Sequence, residues 1–212
     1  MLHSRDSDSY GTTSSRPLGL AHRLRVETAE LHHSTEDLLG IPGSVTDVAR
    51  YGTLLATSLA FYSGVQHGLE DAGWAGRWDE LGIDIRSHDR TELLRADLRE
   101  LGRPTSDVEG MAVDIAGFPA ALGWLYVVEG SALGGRFIAP AIIVALGPVP
   151  TRFYRGEGRE HPAPWRSVQA ALATFDSAGG DADAVIAGAV AAFETFRRSV
   201  SVHSESREAV TG

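Results

Sequence analysis

A chain of 212 residues, 43% of them hydrophobic, suits one compact domain able to bury a real core. Its net charge of −9 at pH 7 argues against nucleic acid as a partner, because phosphate binding needs a concentrated basic surface. With no cysteine, disulfides, zinc–thiolate sites, iron–sulfur clusters and thiol nucleophiles are excluded; with no lysine, Schiff-base chemistry and a P-loop are excluded, and any bound anion falls to arginine.

Residues 1–16 are rich in Ser, Asp, Thr and Gly and read as a disordered tail. They lack the apolar stretch of a signal peptide. The first helix is expected over residues 17–40, opened by Pro17 and closed by Gly40, with Leu20, Leu24, Leu31 and Leu38 along one face. A second follows the start signal at Ser44, Thr46 and Asp47; Tyr51, Leu55, Leu59, Tyr62 and Leu69 mark its buried side. A shorter helix fits residues 89–101, before Gly102 and Pro104. The next begins near Pro119 and continues through the glycine-rich stretch to about residue 147. Another carries Trp165, Val168, Leu172 and Phe175, and the last covers residues 181–200. The most apolar run, residues 137–146, is too short to span a bilayer, so a cytoplasmic protein with no membrane partner is expected. No run of alternating β-branched residues is bounded by hairpin turns. The expectation is an all-α, single-domain fold of six to eight helices over residues 17–200, with a flexible tail over residues 201–212.

Two segments could carry chemistry. In residues 24–36, Thr28, His32 and Glu36 recur every four residues and share one side of a helix, with Arg25 two turns before His32. An imidazole facing a cavity can ligate a metal through a neutral ring nitrogen, and the arginine can meet an anionic group of the same ligand. His33 lies 100° round the helix from His32. His88 lies in a polar context, and Arg155 reads as an ordinary loop arginine. In the second segment, Gly130, Gly134 and Gly135 put three glycines into six helical residues, at a cost of about 1 kcal/mol each against Ala. Either a close helix crossing or the approach of a flat ligand to the backbone offsets that cost. Tyr51, Phe61, Tyr62, Trp124, Phe193 and Phe196 are expected in the core.

Together these segments resemble the heme oxygenase family in its bacterial, biliverdin-producing branch. Residues 24–36 match its Leu-basic-x-x-Thr-x-x-x-His-x-x-x-Glu pattern, and residues 129–135 match its Glu-Gly-Ser-x-x-Gly-Gly run. The resemblance implies heme as substrate and cofactor, cleaved with O2 and external electrons to biliverdin, CO and ferrous iron. It implies His32 as the iron ligand, Arg25, Thr28, Glu36 and Arg166 as heme-binding residues, and Gly130, Ser131, Gly134 and Gly135 as the distal catalytic run. An electron donor such as a ferredoxin or a reductase is implied, and a bacterial phytochrome that takes up biliverdin is a further partner. Ser131 stands where the animal-type branch has an aspartate. That departure keeps a second reading open: a non-catalytic heme-binding or heme-transfer protein on the same fold.

Overall fold

The computed structural model describes residues 19–208 except 42, 107 and 159–162, so the expected N-terminal tail and Pro17 lie outside the described residues. Among the described residues there are nine α-helices, two short 3₁₀ turns and no strand. The all-α, one-core expectation holds: a single hydrophobic cluster runs through the chain from Leu20 to Phe193.

The expected first helix is two. α1 (Leu20–Glu27) ends at Thr28, and α2 (Ala29–Leu39) begins there. The Thr28 hydroxyl donates to the Leu24 carbonyl at 2.7 Å, a bond that competes with the helical ladder and bends it. The Asp176 carboxylate accepts from the Leu20 amide at 3.0 Å, satisfying one orphan donor of α1 from a distant helix. Gly40 closes α2 in the left-handed conformation, φ 56°, where a side chain is disfavoured.

α3 (Val48–Leu69) starts where expected, with the Asp47 side chain accepting from the Arg50 amide at 2.7 Å. α4 (Ala75–Glu80) and the 3₁₀ turns Ala72–Trp74 and Ile85–His88 fill a stretch where no helix was expected. α5 is Thr91–Glu100.

α6 (Phe118–Leu146) is the central helix, 29 residues long, and it joins residues 137–146 to the glycine run in one element. It is long and apolar enough to cross a membrane by length and composition. Its N-terminal part is buried, residues 120–125 throughout, whereas Phe137 and Val144 further on are exposed; α6 packs on α3, α7 (Arg152–Arg155), α8 (Ala163–Ser177) and α9 (Ala182–Glu208). The α6–α9 crossing is close because Gly123 and Gly188 face it. A Cβ on Gly123 would lie 2.7 Å from the Ala189 nitrogen, and one on Gly188 would lie 2.6 Å from the Ala120 Cα. Helix α9 continues to Glu208, beyond the boundary at residue 201 expected from the sequence; residues 209–212 lie outside the described residues.

Candidate active site

α2 and α6 both pack on α9, and a cavity of about 580 Å³ takes its walls from α1, α2, α3, α6, α9 and the segment around α7. That volume falls within the usual range for small-molecule and cofactor sites. Arg25, Thr28, His32 and Glu36 line it from the first segment, and Gly130, Ser131, Gly134 and Gly135 from the second. Two stretches about a hundred residues apart in sequence therefore face one space.

His32 presents an accessible imidazole to the cavity, its side chain 51% exposed. Its Nδ1 lies 3.4 Å from Glu36 Oε2, so the carboxylate orients the ring and leaves Nε2 as the nitrogen for a metal. The Phe193 ring meets the imidazole edge to face, with centroids 6.0 Å apart, and restricts it from the α9 side. His33 also reaches the cavity, its ring 6.0 Å from that of His32. A rotation of 100° does not take a neighbouring side chain out of so wide a space. The Thr28 hydroxyl proton is committed to Leu24, so Thr28 meets a ligand mainly by contact.

On α6 the glycines divide. A Cβ on Gly134 would meet nothing within 4 Å, and one on Gly130 only the Trp165 ring, 3.6 Å away at ordinary contact. A Cβ on Gly135 would run into the Tyr154 carbonyl oxygen and lie 3.1 Å from its carbon. Gly134 thus opens onto the cavity, whereas Gly135 is required by the crossing with α7. Open space and a close crossing thus stand one residue apart in the run.

Ser131 Oγ lies 2.8 Å from the Val128 carbonyl and 2.8 Å from the Tyr62 hydroxyl. A serine has one proton. Donation to Val128 makes Tyr62 the donor to Ser131 and leaves an acceptor lone pair on the cavity side.

Three cavity residues were not legible as such. Arg136 lines the cavity beside Arg25, and neither enters an ion pair among the described residues. Tyr126 is a wall residue whose phenol is pushed up by burial, an effect offset in part by the nearby Arg25 charge. Arg90 is only 2% exposed, yet it lines the cavity. It donates through Nη2 to the Phe153 carbonyl, stacks 4.3 Å from the Phe153 ring centroid, and keeps Nε without a partner. Its position at the N-terminus of α5 carries no sequence signal that separates it from a solvated arginine.

One expected placement needs correction. Arg166 is exposed and outside the cavity walls; its neighbour Trp165 takes the wall, and one residue of helical rotation turns Arg166 away. His88 is buried and pairs with Glu129. Of the expected core aromatics, Phe61, Tyr62, Phe193 and Phe196 also form cavity wall. Arg155 is exposed, as expected.

The residues fit heme. An apolar slot presents the accessible imidazoles of His32 and His33, wall arginines free of ion pairs among the described residues suit two carboxylates, and the open Gly134 leaves room for a flat ring. Among the described residues no cluster of three or more His, Asp or Glu could hold a bare metal ion.

An all-α bundle with His32 in a slot beside a glycine-bearing helix fits the heme oxygenase class, and comparison with known proteins agrees. No family model matches the chain. It is 40% identical over 124 residues to a heme oxygenase of Xanthomonas campestris pv. campestris, a match covering 54% of this chain and 69% of that protein. It is 30% identical over 133 residues to heme oxygenase PigA of Pseudomonas aeruginosa, covering 62% of this chain and 65% of that one. The fold matches the crystal structure of the Neisseria meningitidis heme oxygenase with NO and CO bound, at a TM-score of 0.66 and 22% identity, over 86% of this chain and 90% of that one. The chain belongs to the bacterial heme oxygenase family.

Proposed function

We propose that this protein cleaves heme to biliverdin, CO and ferrous iron, using O2 and electrons from an external donor. The observation that carries the proposal is the pairing, across one cavity, of a carboxylate-oriented His32 with a glycine at 134 that has no side chain and no neighbour within 4 Å. When bound, heme supplies both the iron at which O2 is reduced and the carbon skeleton that is opened.

The chain's own contribution is position and electrostatics. His32 Nε2 would hold the iron, and Glu36 at Nδ1 orients the ring. Arg25 and Arg136 receive the propionates, which an acidic chain would otherwise repel. Gly134 puts no side chain into the cavity and would leave room beside a bound ring. Tyr62 and Ser131 hold a polar point in the cavity wall. The buried Arg90 guanidinium, held by the Phe153 carbonyl, contributes a fixed positive charge to that wall. The apolar walls exclude bulk water.

A ferredoxin or reductase as electron source, a phytochrome as biliverdin acceptor, and a cytoplasmic setting complete the reading. The test is heme titration followed by turnover driven by ascorbate or by ferredoxin, with chromatography of the product. Biliverdin formation at one heme per chain, and loss of the native ferric spectrum in His32→Ala but not in His33→Ala, are expected. Stoichiometric heme binding without ring opening under both reductants would make the protein a heme carrier. No Soret band at all would remove heme from the account.

A further inference from the structure

Behind the cavity lies a buried acid–base contact that the reading above does not use. His88 Nδ1 and Glu129 Oε1 are 2.9 Å apart, and the side chains are 3% and 1% exposed. Neither lines the cavity. Glu129 and Ser131 are two residues apart on α6, about 200° round the helix. The pair therefore grips the back of the same turn whose front carries Gly130, Ser131 and Gly134.

That turn has few other means of fixing its rotation. Gly134 has no side chain and no neighbour, and Gly130 touches only Trp165. Besides the buried Val128 and Ala132, the turn is held by the Gly135 crossing with Tyr154 and the Tyr62–Ser131 bond. Glycines also soften the backbone. On the other side of the contact, His88 ends the 3₁₀ turn Ile85–His88, and two residues later Arg90 brings its guanidinium to the cavity wall. One contact thus joins the two elements that deliver the polar groups of the far face. Stability alone does not account for it, since a buried ionisable pair is often replaceable by apolar residues without loss. Fixing one arrangement does.

We propose that His88 and Glu129 are positioning residues: they set the rotation of the glycine turn of α6 and the reach of Arg90, and so the height and polarity of the wall over the bound tetrapyrrole. The proposal rests on the heme oxygenase reading for its consequence, but not for its mechanical claim. The experiment separates the two.

Glu129→Ala removes the contact, and Glu129→Gln keeps the shape and an acceptor for the imidazole N–H. In the heme-free proteins, amide hydrogen exchange is followed by mass spectrometry. Glu129→Ala should accelerate exchange in residues 130–136 and 88–93 by about tenfold beyond any uniform change along the chain. Glu129→Gln should restore most of that protection. In the ferrous CO complexes, the C–O stretching band should shift or broaden in Glu129→Ala and return toward the wild-type position in Glu129→Gln. Uniform acceleration throughout α6, or an unmoved C–O band alongside local acceleration, would overturn the proposal. Should Glu129→Ala not fold, Glu129→Gln against wild type decides: exchange faster only in those two segments supports the role, and identical exchange rejects it. Failure of any variant or the wild type to bind heme would count against the functional reading and leave the exchange result standing.

Discussion

The division of the glycine run gives a prediction in which adjacent residues respond with opposite sign. In Gly134→Ala the new methyl meets nothing within 4 Å, so the only effect on the heme-free fold is on the helix itself. A mid-helix Gly→Ala change gains about 0.5–1 kcal/mol. For a chain of this size 1 kcal/mol moves Tm by about 2–4 °C, so heme-free Gly134→Ala should melt about 1–4 °C higher. In Gly135→Ala the methyl runs into the Tyr154 carbonyl, and a backbone atom cannot swing aside as a side chain would. Overpacking of that kind costs about 1–3 kcal/mol. Less the propensity gain, a net loss of about 1–2 kcal/mol lowers Tm by about 2–8 °C. Ligand binding should rank the other way: the Gly134 methyl intrudes on the cavity and should weaken heme binding or ligand binding to the iron, and Gly134→Leu should do so more. The assays are thermal denaturation of the heme-free proteins by circular dichroism and heme titration by Soret absorbance. Equal Tm losses at both positions, or Gly134→Leu with unchanged heme and ligand affinity, would refute the assignment.

Arg25→Glu should weaken heme affinity or let heme rotate in the cavity and change the mixture of biliverdin isomers, because it replaces a wall cation free of ion pairs with a negative charge beside the two propionates; unchanged affinity and products would remove Arg25 from the site. Burial raises the phenols of Tyr51, Tyr126 and Tyr154 above their ordinary 10.0, so these groups stay neutral in the fold but ionise when it opens. Stability is therefore fully present below about pH 10 and falls above it; phenolate absorbance and far-ultraviolet circular dichroism should change together, and ionisation of all the phenols near pH 10 with the helices intact would contradict the burial argument.

Much of the fold was legible because helical periodicity is a property of residues a few positions apart. Asp47 as a cap and Pro119 near the start of α6 are local signals, and both stand where the pattern puts them. The break at Thr28 was not legible. Whether a threonine hydroxyl bonds back to the residue four before it, or points elsewhere, depends on what packs around it. His88 shows a similar limit: Ser87 and Asp89 give it a polar neighbourhood in the sequence, and Glu129, 41 residues away, meets it in the fold. Arg166 and Trp165 show the limit of matching by stretch. The segment was placed at the cavity correctly, but a one-residue offset decides which side chain enters it. His32 and Glu36 succeeded because a four-residue spacing fixes their mutual geometry without help from the rest of the chain.

The electrostatics of the far wall bear on what Ser131 does in place of an aspartate. A carboxylate there would stand in the neighbourhood of a buried cation, because Arg90 Cζ lies 5.8 Å from the ring centroid of Tyr62, whose hydroxyl reaches Ser131. In a poorly solvated wall such opposite charges attract and cancel. With serine, the hydroxyl is neutral and its proton is taken by Val128, so the guanidinium stays uncompensated by an acid. The wall then carries a fixed positive charge, not a negative charge that organises water as an acceptor. Such a wall favours negative charge developing over the ring and needs nothing acidic in the glycine turn itself. That turn is free to be bare in front because its polar hold is behind it.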